Sequence, residues 1–128
     1  MPFKYVINTR RDIMLVKVIG KITAHEALTE LKKSMITKQG EGISRHLFNF
    51  KESRFFFKKG VAIQFLQLLH LIGKLLNTKR VALLFDEIPV TFGLESLVPF
   101  MNSDDVEIGI FVEQTKAVEF LNQNDGGN

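Results

Sequence analysis

No cysteine occurs in the 128 residues of this chain. That removes disulfides, thiolate zinc sites, iron–sulfur clusters and thiol nucleophiles from consideration, and it fits a reducing cytoplasm, the expected location. Proline is scarce, at 3 residues, and glycine unremarkable at 9, while 45% of the chain is hydrophobic and 24% charged. This composition excludes disorder, collagen-like repeats and a disulfide scaffold, and the length suits one compact domain with a real core. The expected domain is 1–122, followed by a flexible polar tail at 123–128. Long apolar runs are also missing. The most hydrophobic stretch, residues 61–76, is short of the roughly 20 residues that span a bilayer and is interrupted by Lys74. The opening Met1-Pro2-Phe3-Lys4-Tyr5 begins an alternating pattern with no basic region ahead of an apolar run, so no signal peptide is expected.

Charge is present but divided. Residues 1–64 hold 13 Lys/Arg against 5 Asp/Glu, a net of +8, and residues 65–128 hold 4 against 9, a net of −5. No run of five like charges occurs and no nucleic-acid motif accompanies the basic excess, so the charges read as solvated faces and nucleic acid is not an expected partner.

Phe3 to Arg10 alternates with period two, and Ile13 to Ile19 is a β-rich run ending at Gly20, which together predict an antiparallel hairpin. Thr23 followed by Glu26 has the spacing of a capping box. Ala24, Ala27, Leu28, Leu31 and Met35 then fall on one helical face. Gly40-Glu41-Gly42 ends that helix, and Arg45 to Phe50 is a short strand candidate. A second helix is predicted from Val61 to Leu76, closed by Asn77-Thr78. Its polar residues Gln64, Gln67, His70 and Lys74 share a stripe about 120° wide, which leaves most of its surface to be covered.

The continuous apolar run between Lys79 and Asp86 has the character of a central strand covered on both faces. Val90 to Met101 reads as a third helix, Val106 to Val112 as a last strand and Thr115 to Leu121 as a last helix. The order β-β-α-β-α-β-α-β-α forces parallel crossovers after the hairpin and a layered α/β domain.

Motifs that carry chemistry are missing. His25-Glu26 lacks the second histidine a zinc-protease helix requires, since position 29 is threonine, and His46 and His70 lie in other elements. Gly73-Lys74 has neither the upstream glycine nor the following hydroxyl of a phosphate loop. The pairs Asp86-Glu87 and Asp104-Asp105 read as solvated or capping carboxylates. No catalytic, metal or cofactor site is expected. The distinctive cluster is Phe55, Phe56 and Phe57 with Lys58 and Lys59, three rings that cannot all face one core. It is the candidate interaction surface, for a protein partner or a second copy in a homodimer, with peripheral membrane contact a weaker alternative.

The hairpin ending Val18-Ile19-Gly20-Lys21-Ile22-Thr23, the strand His46 to Phe50, the strand Arg80-Val81-Ala82-Leu83-Leu84, and Ile110-Phe111-Val112 with Ala117 to Leu121 together resemble the SpoIIAA-like branch of the STAS domains over nearly the whole chain. The resemblance implies a small α/β domain with a mixed, mainly parallel sheet, helices mainly on one face, and a non-enzymatic regulatory role. Such relatives bind a partner kinase or anti-sigma factor and are switched by phosphorylation of a hydroxyl at the start of the helix after the third strand. Here that stretch reads Phe57-Lys58-Lys59-Gly60, with no hydroxyl. Ser53 comes too early, and Asn49 stands near where those proteins often have aspartate. STAS-like folds are also compared with lipid-carrying domains. On that comparison an apolar ligand would sit beside helix 61–76, against Phe65, Leu69, Phe85, Phe92 and Leu97.

Overall fold

The computed structural model describes residues 3–10, 13–39, 44–55, 59–86 and 106–123. Strand β1 (Phe3–Arg10) pairs antiparallel with β2 (Ile13–Ile22), as the alternation predicts, with Phe3 opposite Gly20 and Arg10 opposite Ile13. Helix α1 (Ala24–Gln39) carries the chain to β3 (Arg45–Phe55), and α2 (Lys59–Leu75) carries it to β4 (Arg80–Leu84). Strand β5 (Glu107–Phe111) and helix α3 (Gln114–Leu121) complete the described elements. The helix expected over 90–101 lies outside the described residues. Beyond the antiparallel hairpin, every neighbouring pair in the order β1-β2-β3-β4-β5 is parallel.

Side chains alternate across this sheet, and both faces are buried. On one, Met14, Val16, Phe48, Val81 and Leu83 meet Ala27, Leu31 and Met35 of α1 and Phe65, Leu66 and Leu69 of α2. On the other, Leu47, Ala82 and Leu84 meet Ala117 and Leu121 of α3. Two described helices thus cover one face and the third covers the opposite one. All five residues of β4 are buried, as its unbroken apolar run requires.

The helix boundaries follow from side-chain chemistry. At the start of α1, the Glu26 N–H donates to Thr23 Oγ1 at 3.1 Å while the Thr23 N–H donates to Glu26 Oε1 at 3.0 Å. These reciprocal bonds satisfy two donors that the first turn leaves open. Helix α2 ends where Asn77 adopts φ 57°. There the Thr78 N–H bonds to the Gly73 carbonyl at 2.8 Å and the Asn77 N–H to the Lys74 carbonyl at 3.4 Å, the paired bonds of a Schellman termination.

One charged residue is built into the core margin. Arg80, 4% exposed, donates from Nη1 to the carbonyl of Gln123 just past α3, and its Nε lies 3.5 Å from Glu107 Oε1 on β5. The guanidinium therefore ties the start of β4 to the neighbouring strand and to the C-terminal end of α3. Among the described residues, no helix is long and apolar enough to cross a membrane.

Candidate functional site

Because α1 and α2 follow successive parallel crossovers, they lie side by side on one face of the sheet. Between them runs a groove of about 170 Å³ lined by Ala24, His25, Leu28, Gln64, Phe65 and Leu68. The capping box fixes where α1 enters this groove, and the Thr29 hydroxyl donates to the His25 carbonyl at 2.9 Å one turn later. Phe65 forms the floor and is also part of the core.

Leucines that the core does not use stand beside the groove. Leu68, Leu71 and Leu75 on α2 are 44%, 50% and 69% exposed, and Ile36 on α1 is 49% exposed. The α2 residues recur at intervals of three and four and form a ridge along the helix. Ile36 lies about 20° around α1 from His25, so it belongs to the flank that borders the groove. Such a seam of exposed apolar side chains, on the order of 400 Å² in all, is in the range that marks binding surfaces on soluble domains.

This ridge was not legible in the polar pattern of α2. The stripe of Gln64, Gln67, His70 and Lys74 predicts a solvent-facing arc centred between Gln67 and Lys74. The exposed arc instead runs from Lys74 through Gln67, Leu71, Gln64 and Leu75 to Leu68, rotated by about 40°, and His70 is half-buried. Gly73 shows one cause. A Cβ there would lie 3.1 and 3.3 Å from the two γ-methyls of Val106, so the bare glycine edge lets α2 approach the start of β5 and turns its leucine flank outward.

The strand that leads toward α2 carries a second irregular feature. Lys17 pairs with Asn49 and Ile19 with Glu52, so two residues of β3, Phe50 and Lys51, oppose Val18 alone. In this β-bulge, Asn49 Oδ1 accepts the Lys51 N–H at 2.9 Å and the Ser53 hydroxyl donates to the Phe50 carbonyl at 2.8 Å. Past the bulge β3 continues to Phe55, five residues beyond its sequence-based end, paired with β2 and flanked by a Lys17–Glu52 ion pair of 3.1 Å.

The expected site residues are distributed as follows. Phe55 is the last residue of β3 and Lys59 the first of α2, whereas Phe56, Phe57 and Lys58 lie outside the described residues. Phe65, Leu69 and Phe85 are brought together in one core, where the Phe85 ring stacks on Phe50 at a centroid distance of 5.3 Å. Phe92 and Leu97 are outside the described residues. The histidines do not converge: His25 is exposed at the groove, His70 flanks α2, and His46 is fully buried in β3, stacked on Phe48 at 5.9 Å. Asp86 is exposed, and no group of three or more potential metal ligands occurs among the described residues.

No protein-family model matches the chain, and no curated protein matches it in sequence. Solved structures do. The anti-sigma factor antagonist SpoIIAA in its unphosphorylated form aligns with a TM-score of 0.54 at 12% identity, covering 91% of this chain and 96% of that one. An anti-sigma factor antagonist from Mycobacterium paratuberculosis aligns with a TM-score of 0.61 at 9% identity, covering 94% and 95%. At these identities the likeness is one of fold. The chain adopts the SpoIIAA-like fold of the STAS domains, as the order and patterning of its strands and helices imply.

Proposed function

We propose that this chain is a non-enzymatic regulatory module that holds a protein partner across the seam between α1 and α2. The observation that carries this reading is the ridge of Leu68, Leu71 and Leu75, left exposed on a helix whose Phe65, Leu66, Leu69 and Ile72 are packed into the core. Two solved proteins of the same fold, those aligned above, are anti-sigma factor antagonists, which supports a role in protein binding. The groove of about 170 Å³ is smaller than the roughly 300–1,000 Å³ typical of small-molecule pockets, so at this place it suits side chains of a partner better than a whole small molecule.

Control of the partner differs from the phosphorylation switch that the family resemblance implies. Residues 54–76 contain no serine, threonine or tyrosine, so the start of α2 offers no hydroxyl to receive a phosphoryl group. Ser53, the nearest, is half-buried and spends its hydroxyl on the bulge.

The test is site-specific photo-crosslinking in cells. A photoreactive amino acid at position 71 is expected to give a discrete covalent adduct with one identifiable protein. The adduct should be absent when the probe sits at position 119 on α3 and should vanish with Leu68→Asp. Equal adducts from both positions, or none from position 71, would remove the seam as the working surface.

A further inference from the structure

Resting on the reading of the α1–α2 seam as the partner surface, we infer that its occupant is an amphipathic helix of a partner protein, apolar along one stripe and acidic along its flanks. The shape of the seam selects a helix. Two parallel helices with a groove between them, and ridge leucines at intervals of three and four, form the complement of a helix that presents its own apolar residues at the same spacing. A flat membrane surface would favour a convex apolar face, whereas here Leu68 lines a concavity and Leu71 and Leu75 continue its ridge along α2.

The distribution of charge selects the sign. The 17 residues of α2 include no aspartate or glutamate. On α1, the exposed Lys32 lies between Leu28 and His25 in angle, on the flank that borders the groove. The carboxylates of that helix, Glu26 and Glu30, project about 100° and 140° away from the line of His25, Lys32 and Ile36, and Glu30 is engaged by Lys33 at 3.5 Å. The described residues flanking the apolar ridge are thus neutral or basic. Glutamates on an incoming helix gain attraction there, and a lysine-flanked helix meets repulsion. The same pattern opposes a second copy of this chain, since pairing two such seams would set basic flank against basic flank.

Two synthetic peptides of roughly 18 residues test the inference, each long enough for several helical turns and carrying leucine at matched positions. One has glutamate flanks and the other lysine flanks. Binding to the full chain is read by fluorescence anisotropy and by amide shifts in NMR spectra. The glutamate peptide is expected to bind roughly fivefold tighter or more than its lysine counterpart, more weakly in about 0.5 M salt, and to shift the amides of Leu68, Leu71 and Leu75. Leu71→Asp should abolish binding. Lys32→Glu, at an exposed position, should reduce or reverse the preference.

Equal affinity, or a preference for lysine flanks, would overturn the acidic partner while leaving the seam in place. If neither peptide binds yet position 71 still yields its adduct in cells, the helix chemistry is wrong and the surface is right. If neither peptide binds and no adduct forms, both fall together. Sedimentation with phosphatidylglycerol vesicles through Leu71, without binding of the glutamate peptide, would overturn it in favour of a membrane. A dimer in analytical ultracentrifugation that Leu71→Asp dissociates would overturn it in favour of self-pairing.

Discussion

Replacing Gly109 with alanine should destabilise this protein, although the same change in most strands would help. Glycine in a strand interior sacrifices conformational entropy, and the usual gain from Gly→Ala at a compatible backbone is about 0.4–1 kcal/mol. Gly109, itself buried within β5, sits beneath aromatic rings. A Cβ there would lie 2.6 Å from Phe111 Cε2, 2.8 Å from its Cζ and 3.3 Å from Phe120 Cε2. The Phe111 ring must therefore swing away, breaking a tilted contact with Phe120 whose centroid distance is 5.3 Å. Loss of such a pair is worth about 0.5–1.5 kcal/mol and overpacking typically costs about 1–3 kcal/mol, so after the entropic gain the net loss is about 0.5–4 kcal/mol. For a chain of this size that lowers the melting temperature by about 3–5 °C per kcal/mol. Urea unfolding followed by far-UV circular dichroism measures the change, and a cycle with Phe111→Leu isolates its cause. In the Phe111→Leu background the alanine should become neutral or stabilising. A stabilising effect in the parent chain, or an identical cost in both backgrounds, would refute the account of a ring held over the glycine.

Three further outcomes follow from the same geometry. Thr23→Ala removes one side of the capping box and should cost about 0.5–2 kcal/mol in urea unfolding, with faster amide exchange confined to the first turn of α1. Arg80→Met keeps the bulk but leaves Glu107 and the Gln123 carbonyl without the guanidinium. It should cost about 2–3 kcal/mol and loosen the end of α3, visible as lost exchange protection near Asn122. Ser53→Glu puts a carboxylate where a hydroxyl donates to the Phe50 carbonyl, so it should destabilise by at least about 1 kcal/mol; unchanged stability would show that the bulge does not depend on that bond.

Much of the fold was open to reading from the sequence, because local signals agreed with tertiary demands. The spacing of Thr23 and Glu26 names a capping box and both bonds form. Asn77-Thr78 marks the end of α2, where asparagine takes the left-handed conformation it tolerates better than most residues. The apolar run from Val81 to Leu84 predicts a strand covered on both sides, and every residue in it is buried. The far half of β3 was illegible for a definite reason. The bulge at Phe50 and Lys51 adds one residue and reverses the phase of a period-two pattern, so Lys51 to Phe55 reads as polar and irregular while it continues in register with β2.

The exposed leucine ridge was hidden by a different kind of ambiguity. On α1, a mainly polar helix, the few apolar residues such as Ala27, Leu31 and Met35 mark the inside and so set its roll about its axis. In α2, apolar residues predominate and only five polar side chains, Lys59, Gln64, Gln67, His70 and Lys74, mark an outside, so the roll is set by what the helix packs against. Gly73 against Val106, and Phe65, Leu66 and Leu69 against the sheet, together turn the helix about 40° from the orientation its polar residues would choose. That roll half-buries His70 and exposes Leu68, Leu71 and Leu75. Any fold that merely needed a helix at this place could replace those leucines with lysine or glutamine at little cost to stability, since surface substitutions usually fall within about 0.5 kcal/mol. Leucines held in the open beside a groove are the feature on which the proposed partner surface rests, and the absence of a carboxylate anywhere along α2 is what would let the proposed acidic helix meet them.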